Sequence, residues 1–222
     1  MENIVNIFCL VAKIGAGKNK YLNMLLNDTK FLNKADLSLL VYGTTRKPKY
    51  GEKNGINYYF VSEEEYNKID PNELIDYRSY YTIDEGLVYY FTKEEYMKDK
   101  HNVICITSPY QFASYDQWCK NENIRNNNKY KLNLILIDAD MKTRMSRSIE
   151  KVTNEQLLYE LCRRILSERS EFDSVCERIP EFIDPGSFKN VCYIDNNSNN
   201  YIDIKTNINK IKKFILSRVK ND

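Results

Sequence analysis

The residues Ala12-Lys13-Ile14-Gly15-Ala16-Gly17-Lys18-Asn19-Lys20 close an apolar run over 4–11 and open a helical run over 21–26. Strand, glycine turn and helix in that order make a cradle for phosphate. Glycines let backbone N–H groups converge on the oxygens without a Cβ in the way, and the helix N-terminus adds the positive end of its dipole. Lys18 is spaced to reach the outer phosphates of a nucleotide. Two positions depart from the usual spacing: Ala12 replaces the first glycine, and Asn19 replaces the hydroxyl residue that would hold a metal ion after the lysine. A second set of anion-binding groups follows at Arg46, Lys49 and the phenol of Tyr58, interleaved with turn glycines Gly51 and Gly55 and suited to grip a phosphate dianion. Further along, Arg144, Arg147 and Lys151 recur at i, i+3 and i+7, on one face of a helix, and Arg163, Arg164 and Arg169 follow on the next helix. Such cations neutralise charge on a migrating phosphoryl group. Taken singly, each reads as a solvated helix residue; the two phosphate-binding segments upstream give them a chemical meaning.

The elements that must position these residues are legible as alternating patterns. Apolar runs at 4–11, 103–107, 132–137 and 191–194 read as buried strands with helices between them, which implies a parallel sheet. Helix starts are expected where Ser62 precedes Glu65, Thr92 precedes Glu95 and Thr153 precedes Gln156, each a capping box, and where Asp70 precedes Pro71. Asn-rich stretches at 121–128 and 196–200 read as loops. Between about 38 and 90 the pattern turns Tyr-rich and turn-interrupted, as a small mixed sheet inserted into the main one would be. A terminal stripe of Ile204, Ile208, Ile211, Ile215 and Val219 reads as a helix packed on the sheet. With 222 residues, 42% of them apolar, the chain reads as one domain.

Composition narrows the partners. Thirty-three basic residues against 31 acidic give a net charge of +2, so bulk charge draws neither nucleic acid nor a membrane surface, and neither is expected. Six cysteines (Cys9, Cys105, Cys119, Cys162, Cys176, Cys192) without a C-x-x-C pair, and a single His101, leave little for a zinc site and suit a reducing cytoplasmic setting. The opening apolar run is too short to span a bilayer.

The stretch Thr44-Thr45-Arg46-Lys47-Pro48-Lys49-Tyr50-Gly51-Glu52-Lys53-Asn54-Gly55-Ile56-Asn57-Tyr58-Tyr59-Phe60-Val61-Ser62 resembles the monophosphate-binding segment of guanylate kinases. That resemblance implies that Arg46, Lys49, Glu52 and Tyr58 bind the acceptor's phosphate. Lys49 stands where the family has a second arginine, and Tyr42 stands where it places a hydroxyl residue. Glu73-Leu74-Ile75-Asp76-Tyr77 resembles the segment whose carboxylate reads guanine, implying that role for Asp76. Guanine offers donors at N1 and N2, whereas adenine offers an acceptor at N1. The second acid of the family, at the end of the 103–107 run, is absent, so a modified or deoxy acceptor stays open beside GMP. By the same similarity Tyr90 and Thr92 touch the acceptor. Tyr89 competes with Tyr90 because residues 81–86 are inserted. Leu161-Cys162-Arg163-Arg164-Ile165-Leu166 resembles the closing side of the family's lid, which makes Arg147 and Arg164 catalytic together with Lys18. Cys192-Tyr193-Ile194-Asp195-Asn196 resembles the last strand and its exit loop, placing Asp195 near the base of ATP.

The fold so implied is a three-layer P-loop NTPase-type α/β sheet, with core 1–37 and 91–222, an inserted mixed-sheet monophosphate-binding lobe over about 38–90, and a helical lid over about 141–170. ATP would bind Gly15, Ala16, Gly17, Lys18 and Asn19 with Mg2+, for which Asn19 is the one protein ligand in prospect. The implied reaction moves the γ-phosphoryl group to a nucleoside monophosphate. The departures at Ala12 and Asn19 keep a second reading open, a weakened module that binds a nucleotide or a protein without turnover.

Overall fold

A computed structural model describes residues 4–82, 85–125, 129–176, 179–182 and 184–219, and for Cys176 the backbone alone. Parts of the expected 81–86 insertion and 121–128 loop, and the side chain of Cys176, lie outside these. The first apolar run becomes β1 (Val5–Ala12), buried at every residue. It is central in a five-stranded sheet formed with β2 (Leu37–Leu39), β7 (Asn102–Ile106), β8 (Tyr130–Asp138) and β9 (Val191–Asp195), in the order β2-β7-β1-β8-β9. Every pairing in that sheet is parallel. A parallel strand covered on both faces carries no polar alternation, which explains the near-continuous apolar run.

Successive β1 side chains serve opposite layers. Phe8 and Leu10 pack with α1 (Lys18–Leu26), α2 (Thr29–Ala35) and α7 (Tyr201–Val219), while Ile7, Cys9 and Val11 pack with α4 (Pro109–Arg125) and α6 (Glu155–Cys176). The result is three layers, helix on sheet on helix. On α7 the expected stripe is realised, with Ile204, Ile208, Ile211 and Ile215 buried at helical spacing. Among the described residues no helix is long and apolar enough to cross a membrane.

A second sheet runs β4-β3-β6-β5, built from β3 (Gly43–Thr44), β4 (Tyr59–Phe60), β5 (Leu74–Thr82) and β6 (Gly86–Lys93). The β5–β6 and β3–β6 pairs are antiparallel and β3–β4 is parallel. Its tyrosines interlock: Tyr66 from α3 (Glu63–Asn67) stacks on Tyr89 at 4.4 Å, and Tyr59 stacks on Tyr96 at 4.4 Å.

Local expectations fared unevenly. Ser62 and Glu65 form both bonds of the capping box, and Asp70 caps a 3-10 turn that begins at Pro71. Thr92 does not start a helix. It lies within β6, where pairing opposite Asp76 outweighs the local cap, and a 3-10 turn begins only at Glu94. On α6 the cap is Asn154, whose Oδ1 accepts from Leu157 N at 2.9 Å, so Thr153 stands one residue outside. Residues 121–125 are not loop but the last turns of α4. The second sheet takes up the chain at Gly43, because Leu37–Leu39 pairs with β7 in the main sheet.

Gly43 is required by space. A Cβ there would lie 2.2 Å from Cζ of the buried Phe91 ring. Gly43→Ala is expected to lower stability by about 1–3 kcal/mol through overpacking. Phe91→Leu in the same chain should recover part of that loss, as read by the urea midpoint at unchanged slope. A wild-type midpoint for Gly43→Ala alone would refute this account.

Candidate active site

The glycine turn after β1 keeps its shape through left-handed backbone at Gly15 (φ 79°) and Gly17 (φ 108°). Ala12 sits upstream of both, in β1 opposite Ile137, and has no positive φ. Alanine is therefore accommodated at that position without strain. Gly17 caps α1 with no side-chain hydrogen bond, which leaves the first-turn N–H groups of the helix without a side-chain acceptor. The turn is braced from behind: Asn196 Nδ2 donates to Ala16 O at 2.7 Å, and Arg144 Nη1 donates to Ile14 O at 3.2 Å.

Lys18 Nζ donates to Ala12 O at 3.3 Å. Burial pulls its pKa down, helped by the nearby Arg164, while Glu168 and Glu171 oppose the shift. Glu168, on α6, accepts from Ile14 N and stands 3.5 Å from Arg144 Nη1. Burial raises its carboxyl pKa against the stabilising Ile14 N–H and the surrounding cations. Residues 164, 168, 171 and 172 recur at helical spacing, so α6 turns one face to the loop. A small cleft lined by Ile14, Lys18, Tyr80, Arg164, Ser167 and Glu171 lies between them.

Tyr80, Ser167 and Glu171 also line a larger cleft of about 560 Å³ that contains Asp76, Arg78 and Tyr110. Asp76 is buried on β5, directly opposite Thr92, whose hydroxyl accepts from Tyr115 at 2.9 Å. The β6 pleat puts Tyr90 against Tyr58 and Tyr80, both at 5.8 Å, whereas Tyr89 stacks on Tyr66. Tyr90 thus shares a face with Arg46. The Arg46 guanidinium lies 5.3 Å from the Tyr58 ring and 5.7 Å from the Phe60 ring. Its Nη2 donates to both oxygens of Glu52 at 2.9 Å. Burial disfavours the Arg46 cation, and Glu52 and Tyr90 beside it outweigh that, so its pKa is raised. The Lys49 backbone N–H and the Arg46 charge hold the Glu52 carboxyl low. The Lys49 side chain is exposed.

The lid residues separate. Arg144, Arg147 and Lys151 share helical spacing but not a task. Arg144 is buried and donates to Ala139 O and Ile14 O. Arg147, on α5 (Met141–Ile149), binds the loop after β9 through Asn196 O, Ser198 O and Asn199 Oδ1. Lys151 is exposed beyond the helix end. Arg164 therefore faces Lys18, and Arg147 does not join it. Arg163 pairs with Glu160 and Arg169 lies near Asp173, both on the surface. Asp195 Oδ1 accepts from Asn197 N and Nδ2, shaping its own exit turn. Arg78, Tyr80, Glu168, Glu171 and Asn196 were not singled out from sequence. The period of two along β5 from Asp76 was the available signal for Arg78 and Tyr80.

Fold and loop together define a P-loop nucleotide-binding α/β domain. The family model for guanylate kinase matches residues 5–177, and the chain belongs to that family. A guanylate kinase of Mesoplasma florum is 34% identical over 103 residues, 46% of this chain and 32% of its own length. One of Rickettsia prowazekii is 39% identical over 93 residues, 41% of this chain and 42% of its own length. The chain thus spans about a third to two fifths of the length of these curated relatives. The crystal structure of guanylate kinase from Anaplasma phagocytophilum superposes with a TM-score of 0.55 at 18% identity, covering 98% of this chain and 87% of that one. At that identity the likeness concerns the fold.

The raised Glu168 pKa sets a pH dependence. Below the unfolded carboxyl pKa the side chain is protonated in both states and its burial costs no charge. Above the raised folded pKa it is ionised in both, and the cost is complete. Glu168→Gln is therefore expected to gain stability relative to wild type as pH rises from about 4 to 7, measured by urea unfolding across that range. A stability difference that stays flat or shrinks with rising pH would contradict the burial account.

Proposed function

We propose that the chain transfers the γ-phosphoryl group of ATP to a guanine nucleoside monophosphate, GMP or dGMP. The observation that carries this reading is the continuity of the two clefts: Tyr80, Ser167 and Glu171 line both the space over Lys18 and the space holding Asp76. A donor phosphate on the glycine turn and an acceptor base at Asp76 then share one trough, with Arg46, Tyr58 and Tyr90 beside it.

Lys18 and the open N–H groups of α1 hold the donor phosphates, Arg164 adds charge from the lid side, and Arg46 with Lys49 holds the acceptor phosphate. Transfer then depends on positioning and charge neutralisation rather than on a covalent nucleophile. Arg147 frames the loop that carries Asp195, at the nucleotide-base end. Among the described residues no group of three His, Cys, Asp or Glu side chains is placed to hold a metal. Exposed Asn19 offers one neutral oxygen, which fits Mg2+, an ion that keeps waters and binds mainly through phosphate oxygens. Mg2+ bound that way supplies charge neutralisation at the β and γ phosphates.

One observation favours the rival reading of binding without turnover: Glu168 already accepts from Ile14 N inside the cradle. A coupled assay of ADP release across GMP, dGMP, IMP and AMP, with and without Mg2+, separates the two. Turnover with any of them removes the rival; binding with no turnover removes the kinase. In the same assay Lys18→Ala is expected to lower kcat by about 100–1,000-fold. Arg46→Ala should raise the monophosphate KM by about 10–100-fold with a smaller change in kcat. Unchanged constants in either variant would remove that residue from its role.

A further inference from the structure

The acceptor pocket contains a charged pair that stops short of closing. Asp76 has a side chain 4% exposed, and its Oδ2 has no hydrogen-bond partner. Arg78 Nε stands 3.7 Å from that oxygen, near enough to attract and too far to hydrogen bond. The guanidinium is held where it is from the other side. Its Nη1 donates to Glu171 Oε1 at 3.0 Å, Glu171 also accepts from Tyr110 N at the start of α4, and the Tyr110 ring lies 5.7 Å from Cζ. Both side chains line the same cleft. A buried carboxylate oxygen left without a hydrogen bond is costly. The gap closes when a third group donates to Asp76 and accepts from Arg78 side by side.

A 6-oxopurine presents that pair on one edge, N1–H next to the C6 carbonyl. Adenine seated the same way presents the inverse, a lone pair toward the carboxylate and an amino group toward the guanidinium. Tyr42, the hydroxyl residue at the base of this lobe, is already committed, its OH donating to Ile106 O at 2.8 Å. We propose that Arg78 is a specificity-determining residue for the acceptor, donating to the C6 carbonyl of the purine while Asp76 accepts from N1–H. This rests on the monophosphate-kinase reading for the identity of the pocket.

The test reads binding, so that it stands apart from turnover. Affinities of GMP, its 6-thio analogue and AMP are measured by calorimetry on the intact chain, wild type, Arg78→Met and Arg78→Lys. The thio analogue keeps the N1–H and the exocyclic N2 amino donors and replaces the C6 oxygen by sulfur, a weaker acceptor. Wild type is expected to prefer GMP over the thio analogue by about 10-fold or more, and Arg78→Met to weaken GMP by about 10–100-fold while moving the thio analogue about twofold at most. Arg78→Lys, which keeps the charge and loses the fork, should fall between, and it carries the test if the Met variant fails to fold. Equal loss for GMP and its thio analogue, or wild type binding AMP as tightly as GMP, overturns the proposal. Discrimination at C6 without any turnover would sink the kinase reading and leave Arg78 in its role. Turnover with equal losses would do the reverse.

Discussion

The glycine turn is held by close approach of neighbouring backbone and side chains. A Cβ on Gly15 would lie 2.3 Å from Arg144 O, and one on Gly17 would lie 2.6 Å from Asn196 Nδ2. No side chain fits either gap, and both residues also sit at positive φ. The contacts come from α5 and from the exit of β9, so the direction of the loop's N–H groups is fixed by elements far along the chain. Tyr21 ties the same corner, its OH donating to Asn196 Oδ1 at 2.7 Å. A cradle braced in this way needs little rearrangement to meet an anion. It also explains why the backbone accepts Ala12: the strain sits three and five residues downstream, where glycine is kept.

Legibility followed the range of the forces involved. The strands β1, β7, β8 and β9 could be read because burial on both faces writes a continuous apolar run. By contrast β2, three residues at the sheet edge, writes no pattern of its own. Thr92 shows the same limit from the other direction. Its local capping signal is sound, but eight residues of β5 pairing across β6 override it. The grouping of Arg46, Tyr58 and Tyr90 was visible because it belongs to one segment and one strand pleat. Glu168 and Glu171 were not, since nothing within α6 says that its face meets a loop more than 150 residues earlier.

Arg144 and Arg147 make the point most sharply. Equal residue types at i and i+3 share a helix face, and spacing alone assigned them a common task. Helical side chains lean toward the N-terminus of their helix. Arg144, in the first turn of α5, therefore reaches back to Ala139 O and the glycine turn, while Arg147 lies a turn further on and meets the loop after β9. One arginine becomes internal bracing and the other frames a rim.

Three arginines in and around the site are set beside glutamates before any ligand arrives. Glu52 holds Arg46, Glu171 holds Arg78, and Glu168 lies beside Arg144 and the loop N–H of Ile14. Each pairing settles the desolvation and rotamer ordering of a long side chain during folding, so that less is lost on binding. The arrangement has a price at one point. Ile14 has a single N–H, so Glu168 and a phosphate oxygen cannot both take it. Arg164, which has no ion pair among the described residues and borders the same cleft, carries charge that a phosphate can meet without displacing a carboxylate. The α6 side of the cleft is therefore where an incoming anion gains most, and the loop side is where it must exchange with a carboxylate already in place.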